Sequence, residues 1–463
     1  MQKLFLLCLL FPFIAQAQPS AFFETVYGFD DPDFTRGIVQ YSDSSLFVAG
    51  FTNHPVTGKT DIKLYKLSKN GTLIWVKTFG DSTRDENAQG LLITADENLL
   101  IWGEQENSFG NLEGLLMKTD TSGNLLAVVY STGTLGNITY KSARELQNGN
   151  IAAAGFSTGT NNSNDFFVCL FNSSLVQIGQ YFSGNAGNDY CQSIAALPDS
   201  GFAVAGDTYN QNNYDIWLAR FDKNGNLIWS NTYGDTLQNG SQSLIYTSDG
   251  HLLLCGETEI AYLSPFNFFL QKFDLDGNAL WRSTFGGSGA DAAFSVCETW
   301  NGFIGTGYSN SYVPGPISVV VFRTDSAGNL LWAHEYGGNG IDIGYQIIPS
   351  FDNGYYITGN SDLSANTQCY LLHTDEAGWT SVNNQFTPEF CNVFPNPTSG
   401  EIHVVYPSMH KIEVFDMFGS VCLTEEFTEQ DYKILMPDLK QGAYLVRIYS
   451  KDVCVTRKII LAR

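Results

Sequence analysis

Seven apolar runs in this chain of 463 residues end in a glycine, and these glycines recur at a nearly constant interval. Neighbouring glycines of the series are 50 to 53 residues apart. They are Gly50, Gly103, Gly155, Gly206, Gly256, Gly307 and Gly359. A period of this length indicates a repeat architecture, in which units too small to bury their own faces stack against their neighbours. The spacing therefore predicts seven units within residues 21–382.

Each unit predicts four short β-strands, and the fourth unit shows them most clearly. Its apolar or alternating runs at 190–197, 202–206, 215–221 and 227–233 are separated by turn residues. The turn before the last run, 222–226, contains an Asn-Gly pair, which adopts the positive φ angles of a tight hairpin. Four antiparallel strands in a repeated unit are typical of a propeller blade. We therefore predict a seven-bladed β-propeller.

A ring of seven units needs a strand to complete its last unit, and two segments compete for that place. The N-terminal run 22–28 is similar to the fourth strands of the other units. We expect it to pair with 368–373, because this removes two exposed sheet edges. Residues 378–382 are the competitor.

The fourth strands also carry tryptophans, which we expect to pack between adjacent blades rather than to stack on a ligand. They are Trp75, Trp229, Trp281 and Trp332.

Composition favours a folded and acidic protein. Hydrophobic residues make up 43% of the chain and charged residues only 15%. A disordered chain has the opposite balance. With 24 Lys and Arg against 47 Asp and Glu, the net charge is −23. Such a surface repels phosphate backbones, so we expect no nucleic-acid partner.

The first 17 residues predict a secretory signal peptide. Lys3 supplies a positive charge, residues 4–14 form an apolar stretch too short to span a bilayer, and residues 15–17 fit a cleavage site. No later apolar run reaches the length of about eighteen residues that a membrane helix needs, so we expect no transmembrane segment in the mature chain.

The cysteines do not form a recognisable metal or redox motif, since none is part of a C-x-x-C pair. Cys169, Cys255 and Cys369 lie in apolar strand patterns and are expected to be buried free thiols. Cys422 and Cys454 are candidates for a disulfide, which the sequence leaves open.

The repeat stops after Val382. Residues 383–391 indicate a polar linker, and residues 392–463 alternate between apolar and polar positions with intervening turns. The predicted strands of this tail are 402–406, 411–416, 421–425, 432–436, 443–449 and 453–461. They favour a small sandwich of two sheets. The predicted fold class is therefore all-β: a seven-bladed β-propeller followed by a small C-terminal β-sandwich.

The tail also carries four motif blocks, F-P-N-P-x-x-G, V-F-D-M-F-G, G-A-Y-L-V-R-I and R-K-I-I-L. Their marker residues are Phe394, Pro395, Asn396, Pro397, Gly400, Gly419, Gly442, Tyr444 and Lys458. In this order, the blocks resemble the C-terminal sorting domain of the type IX secretion system (Por) of Bacteroidetes-type bacteria. The resemblance covers residues 392–463 and implies that the secretion machinery recognises them. It implies a protein secreted from a Gram-negative bacterium or held at its outer-membrane surface.

The repeat region resembles the β-propeller repeats of secreted bacterial proteins, and that resemblance implies no particular activity. The chain has no H-E-x-x-H or P-loop motif, and its six histidines do not fall at metal-ligand spacing. Residues 274–278 begin like a calcium loop, but Phe285 stands where the last acidic ligand would be. We interpret them as a hairpin turn. The sequence thus predicts no catalytic residue and favours a protein that is not an enzyme.

One set of mostly acidic residues precedes the first strand of the units. It comprises Asp33, Glu86, Thr139, Asp189, Asn239, Asp291 and Asp342. If the first strands line a channel, these side chains form a ring at its opening that suits calcium, the one cofactor the sequence suggests. The alternative is that each side chain caps its own loop. A second series opens the third strands and is interpreted as loop chemistry: Asp61, Glu113, Asp165, Asp215 and Asn267.

Taken together, these patterns predict a secreted or cell-surface, non-catalytic β-propeller that binds a glycan or a protein. Two alternatives stay open. One is a hydrolase or lyase that acts on polysaccharides through acids at the channel opening. The other is a structural surface protein without a ligand.

Overall fold

The computed structural model describes most of the chain. The described residues are 22–27, 33–54, 56–80, 83–131, 136–158, 163–184, 186–210, 213–262, 264–311, 316–338, 340–362, 367–380, 392–394, 398–405, 409–416, 421–426, 431–437, 439–450 and 454–462. The predicted signal peptide (1–17), the predicted linker (383–391) and the motif residues Pro395, Asn396, Pro397 and Gly419 lie outside these ranges. The described segments contain strands and turns but no helix, and hence none that could cross a membrane.

The described strands of the repeat region follow the predicted four-strand pattern. They are β1 Phe23–Tyr27, β2 Asp33–Gln40, β3 Leu46–Asn53, β4 Thr60–Leu67, β5 Leu73–Phe79, β6 Glu86–Ile93, β7 Leu99–Glu106, β8 Leu112–Thr119, β9 Leu125–Ser131, β10 Ile138–Glu145, β11 Ile151–Thr158, β12 Asn164–Phe171, β13 Gln177–Ser183, β14 Asp189–Ala196, β15 Phe202–Asn210, β16 Asn213–Phe221, β17 Leu227–Tyr233, β18 Asn239–Tyr246, β19 Leu252–Glu259, β20 Phe266–Phe273, β21 Ala279–Phe285, β22 Asp291–Thr299, β23 Gly302–Ser309, β24 Ser318–Asp325, β25 Leu330–Tyr336, β26 Asp342–Pro349, β27 Tyr355–Ser361 and β28 Gln368–Thr374.

These strands form seven antiparallel sheets of four strands each. Sheets 1 to 6 are β2–β5, β6–β9, β10–β13, β14–β17, β18–β21 and β22–β25, and sheet 7 has the order β1-β28-β27-β26. In sheet 7, Phe23 lies opposite His373 and Tyr27 opposite Cys369. The prediction that the N-terminal strand completes the last unit is therefore confirmed.

The core of the repeat region lies between sheets rather than within them. One cluster joins Ile216 and Leu218 of sheet 4 to Leu252 and Phe269 of sheet 5. Another joins Val48 of sheet 1 to Leu371 of sheet 7. The fourth strands are largely exposed, as the pattern of β17 shows. Each sheet thus depends on its neighbours for burial, which is the physical basis of the repeat.

Adjacent sheets are also joined by a recurring hydrogen bond between their first strands. A serine in one sheet accepts from a backbone N–H of the next sheet. The donor–acceptor pairs are Ile194 N with Ser142 Oγ (3.2 Å), Leu244 N with Ser193 Oγ (3.0 Å) and Ile347 N with Ser295 Oγ (3.3 Å). At the same strand positions, Ile38 N of sheet 1 donates to Gln346 Oε1 of sheet 7 at 2.7 Å. The first strands of sheets 7 and 1 are therefore hydrogen-bonded in the same way as those of sheets 3, 4 and 6 are to the next sheet.

The periodic glycines are required by a β-bulge in every first strand. The strand register shifts at one residue in each, and these bulged residues are Arg36, Gln89, Lys141, Gln192, Gln242, Phe294 and Tyr345. The residue just before the bulge pairs with the periodic glycine, as Thr35 does with Gly50. A Cβ at any of the seven glycines would lie only 1.8 to 2.0 Å from a backbone oxygen of the first strand. The sequence period thus marks close backbone contacts next to the bulges.

The turns and tryptophans behave as predicted. Asp274 Oδ1 accepts from the backbone N–H groups of Asp276 and Asn278 at 3.0 and 2.8 Å, so the hairpin-turn interpretation is confirmed. Trp229 Nε1 of sheet 4 donates to Leu275 O of sheet 5 at 2.9 Å. Trp229 therefore packs between adjacent sheets, as expected.

Cys169, Cys255 and Cys369 are buried free thiols, which confirms the prediction for these cysteines.

The C-terminal residues form two further sheets. Their strands are β29 Asn392–Phe394, β30 Glu401–Val405, β31 Met409–Asp416, β32 Val421–Glu426, β33 Asp431–Leu435, β34 Gly442–Ser450 and β35 Cys454–Leu461. The sheet orders are β29-β30-β33 and β32-β31-β34-β35. Both sheets contribute to one core, for example through Val404 and Val446. Every predicted tail strand is present to within two residues, and β29 is an addition that the sequence pattern did not predict.

The sorting-motif residues that the structure describes lie in or beside these strands. Phe394 ends β29, and Gly400 precedes β30 with a φ of 131°, which glycine adopts readily. Gly442 begins β34, where the buried Tyr444 donates its hydroxyl to Lys440 O at 2.8 Å. Lys458 pairs with Leu445 in the ladder between β34 and β35. The predicted Cys422–Cys454 disulfide stays untested, because the side chain of Cys454 is not described.

By backbone proximity the chain divides into two compact units. One comprises Met1–Tyr336 and Asp342–Val382, and the other comprises Gly337–Ile341 and Asn383–Arg463.

Candidate functional site

The acidic ring residues are buried at the start of the first strands. Asp33, Glu86, Asp189, Asn239, Asp291 and Asp342 are all less than 5% exposed. Thr139 is not their structural equivalent: Tyr140 pairs with Gly155, so Ile138 occupies that position and the sequence alignment was wrong by one residue.

Several of these side chains are bonded by groups of their own sheets. Asp33 forms a salt bridge with Lys63 at 2.7 Å, and Asp189 Oδ1 accepts from Thr208 Oγ1 at 2.6 Å. Thr258 and Arg282 both donate to Asn239 Oδ1, at 2.9 and 2.8 Å, and Ser311 Oγ donates to Asp291 Oδ2 at 2.7 Å. The described residues contain no group of three His, Cys, Asp or Glu side chains placed to hold a metal ion. These contacts favour a local structural role, and the calcium hypothesis stays an untested prediction.

Both acidic series meet at the glycines that follow the fourth strands of sheets 1 and 5, Gly80 and Gly286. A Cβ on Gly80 would lie 2.5 Å from Asp61 Oδ1 and 2.7 Å from Glu86 Oε2. Asp61 belongs to sheet 1 and Glu86 to sheet 2, so acids of neighbouring sheets approach the same backbone position. This close approach explains why a glycine stands after the fourth strand.

One residue from each sheet lines a shared cavity of about 280 Å³. We call it the bulge cavity, because its lining residues are the seven bulged residues of the first strands: Arg36, Gln89, Lys141, Gln192, Gln242, Phe294 and Tyr345. A β-bulge redirects a side chain, and bulges are frequent beside functional sites. The wall combines two cations, three amides and two aromatic rings. These residues stand three positions after the ring acids, a spacing that could have revealed them.

The two cations of the wall have aromatic neighbours. The Arg36 guanidinium lies 4.0 Å from the ring centre of Tyr345, within the range of a cation–π contact. Lys141 Nζ lies 5.9 Å from the ring centre of Phe156. Neither Arg36 nor Lys141 has a carboxylate within salt-bridge distance among the described residues, and Nη1 of Arg36 is buried without a described hydrogen-bond partner.

Three carboxyl groups lie behind the three glutamines of the wall. The amide–carboxyl pairs are Gln89 with Glu104 (3.2 Å), Gln192 with Asp207 (3.0 Å) and Gln242 with Glu257 (3.2 Å). Burial raises the pKa of all three acids, that of Asp207 to about 6 and that of Glu257 to about 7. The charge of Asp207 adds to the rise in the pKa of Glu257. Asp207 and Glu257 are therefore able to change protonation near neutral pH.

The remaining side of the cavity is aromatic. The rings of Phe294 and Tyr345 are stacked with their centres 5.4 Å apart, and Tyr308 lies 5.6 Å from Phe294. The wall thus presents cationic, amide and aromatic surfaces to the same small volume, which is the composition of a site that binds a polar molecule.

A second cavity, of about 780 Å³, is formed by turns of sheets 5, 6 and 7. Trp300 in this groove is 80% exposed, and its Nε1 donates to Glu376 at 2.7 Å. In sheets other than sheet 6, the turn between the first and second strands carries an aspartate that pairs with a basic residue of the third strand. The pairs are Asp43–Lys66, Asp96–Lys118, Asp199–Arg220, Asp249–Lys272 and Asp352–His373. In sheet 6, Arg323 donates to Asn301 instead.

Comparison with known proteins identifies the C-terminal residues. Residues 392–462 match the family described as the secretion system C-terminal sorting domain. The chain therefore carries a sorting domain of the type IX secretion system, and it is exported to the cell surface or secreted. No curated protein sequence matches the chain.

Solved structures resemble the repeat region in fold. A polysaccharide lyase of the PL25 ulvan lyase family is 11% identical, with a TM-score of 0.54, and the match covers 76% of this chain and 96% of the lyase. The same enzyme type bound to -[GlcA(1-4)Rha3S]- has a TM-score of 0.53 at 11% identity, with the same coverage of both chains. PorZ, a surface component of the type IX secretion system of Porphyromonas gingivalis, has a TM-score of 0.29 at 11% identity, covering 92% of this chain and 74% of PorZ. At these identities the likeness to the lyases concerns the fold alone, and that to PorZ carries no structural inference.

Proposed function

We propose that this protein is a non-catalytic, closed seven-bladed β-propeller that binds a glycan in the bulge cavity after export by the type IX machinery. In this proposal, residues 1–17 are a signal peptide, 21–382 the propeller, 383–391 a linker and 392–463 the sorting domain. The observation that carries the binding role is that all seven bulged residues converge on one cavity and differ in chemistry. A purely structural repeat position would instead tend to repeat one residue type.

Closure of the ring is supported by the contacts between sheets 7 and 1. Besides the Ile38–Gln346 hydrogen bond, Thr35 N donates to Asn360 Oδ1 at 2.9 Å. At the equivalent position between sheets 4 and 5, Ser241 N donates to Asp207 Oδ1 at 2.6 Å. Because the same strand positions are used at both junctions, sheet 7 is bonded to sheet 1 like any other neighbour.

A glycan suits the bulge cavity better than a protein surface does. A volume of about 280 Å³ is near the lower end of the range for ligand pockets and accommodates a small polar group. The amides of Gln192 and Gln242 offer hydrogen-bonding atoms for hydroxyl groups. The rings of Phe294 and Tyr345 offer flat faces for the C–H groups of a sugar.

A glycan array probed with the chain lacking its signal peptide tests this proposal. We expect a defined set of glycans to bind, and Gln192→Ala or Tyr345→Ala to reduce their binding at least about tenfold. Lys223→Ala, which alters an exposed turn residue, is the matched control and should bind as the parent does. Absence of glycan binding would instead favour a ligand-free structural surface protein.

A hydrolase or lyase acting on polysaccharides is the second candidate. The observation that favours it is the raised pKa of Asp207 and Glu257 behind the cavity wall, because acid–base catalysis needs groups that exchange protons near neutral pH. The repeat region also resembles the ulvan lyases in fold.

Product analysis separates catalysis from binding. The chain would be incubated with soluble acidic polysaccharides while reducing ends and unsaturated sugars are measured. Product that disappears in both Asp207→Asn and Glu257→Gln would establish the enzyme. If glycans bind and no product accumulates, the non-catalytic role stands.

A further inference from the structure

The two cations of the bulge cavity are placed on sheets 1 and 3, on either side of sheet 2. Arg36 and Lys141 both occupy bulged positions and both line the cavity. No carboxylate lies within salt-bridge distance of either among the described residues. Cations that are partly removed from water are normally paired, so this arrangement is unusual for a purely structural role.

The two cations also act on each other. Burial lowers the pKa of Lys141 most strongly, Glu104 opposes this change, and the like charge of Arg36 lowers the pKa further. The two positive groups are therefore close enough to repel one another. An anion placed between them would relieve this repulsion and be attracted by both.

Of the acids near the cavity, Glu104 acts on both cations through its charge, from a position behind the cavity wall. Glu104, Asp207 and Glu257 do not line the cavity but lie behind the glutamines. Asp207 is occupied by the Ser241 N–H at 2.6 Å, the Ser241 hydroxyl at 2.8 Å and the Gln192 amide at 3.0 Å. The surface that a ligand touches thus carries two positive charges and no carboxylate.

Arg36 has an unused donor in addition. Its Nη1 is buried without a described hydrogen-bond partner, while Cζ lies over the ring of Tyr345 at 4.0 Å from the ring centre. This cation–π contact restrains the guanidinium. A fixed guanidinium with a free edge is suited to a carboxylate or sulfate, whose oxygens accept parallel hydrogen bonds.

We infer that the bulge cavity binds a single oxyanion, a carboxylate or sulfate group, between Arg36 and Lys141. The oxyanion is the charged group of an acidic sugar, an assignment that rests on the proposed glycan-binding function. Gln89, on the sheet between the two cations, offers its amide to the same ligand.

Matched ligands test the charge requirement. Affinities of the chain lacking its signal peptide would be measured by isothermal titration calorimetry for oligogalacturonate, its fully methyl-esterified form and inorganic sulfate. We expect oligogalacturonate to bind at least about tenfold more tightly than the neutral ester. Arg36→Gln and Lys141→Gln should each remove that preference, whereas Arg36→Lys should keep part of it. Lys223→Gln is the control for loss of an exposed positive charge.

The outcomes separate this inference from the proposed function. Equal binding of the acid and its ester, unchanged by Arg36→Gln, overturns the oxyanion site but leaves glycan binding intact. Sulfate that binds through both cations while no saccharide binds supports the oxyanion site and overturns the glycan function. If none of the three ligands binds, the oxyanion site is overturned, and the glycan array decides the glycan function separately. Unchanged melting temperatures of the variants would show that lost binding is not lost folding.

Discussion

At the residue scale, Glu257 has the most informative protonation behaviour. Burial and the neighbouring Asp207 raise its folded-state pKa to about 7, above the value of about 4.3 expected in an unfolded chain. A group whose pKa is raised on folding stabilises the fold below its unfolded pKa, and this contribution is lost as the pH rises through the folded pKa. The propeller should therefore lose stability between about pH 5 and pH 8.

Glu257→Gln should remove this loss. We expect the variant to melt at least about 2 °C above the parent at pH 8, and at the same temperature as the parent at pH 5. Gln242 can still bond the new amide, since its Nε2 lies 3.2 Å from Glu257 Oε1. Differential scanning calorimetry at both pH values measures the effect, with Asp276→Asn in an exposed turn as the control. An equal shift at both pH values would contradict the assigned pKa.

Single residues also show where sequence patterns were insufficient. Asp33 and Asp189 were expected at a channel opening because they precede first strands that could line a channel, and a ring at that opening stays a prediction. Both are buried, and Lys63 and Thr208 bond them from within their own sheets. The cavity is lined instead by residues such as Arg36 and Gln192, whose direction depends on a bulge. A bulge is a property of strand pairing and cannot be recognised in one strand alone.

At the element scale, each first strand and its neighbour form a bulged pair that depends on glycine. The strands themselves were predictable: Leu227–Tyr233 is present with the predicted bounds. The reason for the glycine period was not predictable, since it arises from a backbone oxygen of the partner strand, such as that of Tyr190 opposite Gly206.

Gly206→Ala should destabilise the propeller. Its new Cβ would lie 2.0 Å from Tyr190 O, which forces a backbone shift that costs roughly 1–3 kcal/mol. Gly179→Ala is the matched control: it is also a strand glycine, but its Cβ would meet no atom closer than 3.8 Å. Urea denaturation followed by tryptophan fluorescence compares the two. The close-contact explanation of the glycine period fails if both variants unfold at the same urea concentration.

At the scale of the whole molecule, sequence periodicity was sufficient to predict the number of sheets and the strand that completes the last one. Seven glycines correspond to seven sheets, and β1 pairs with β28. The motif blocks of the tail were likewise sufficient to predict the export route, and the match of residues 392–462 to the sorting-domain family confirms it. The ligand was not predictable in this way, because the bulge cavity takes one residue from each of seven distant units.

A closed ring predicts that the junction between sheets 7 and 1 is as stabilising as any other. The hydroxyl of Tyr27 on sheet 7 donates to Gly71 O of sheet 1. Tyr233 makes the same contact with Gly277 between sheets 4 and 5, and Tyr336 makes it with Gly378 between sheets 6 and 7. Phe79 and Phe285 occupy equivalent positions in other units, so a phenylalanine is compatible with this site.

Tyr27→Phe and Tyr233→Phe should therefore destabilise the protein to the same extent. Each loses one hydrogen bond between sheets, which is worth about 1 kcal/mol in the free energy of unfolding. Urea denaturation of both variants and of the parent, under identical conditions, measures the two differences. In a closed ring they agree within error. In an open row of sheets the Tyr27 contact would not exist, and Tyr27→Phe would unfold with the parent while Tyr233→Phe still unfolded earlier.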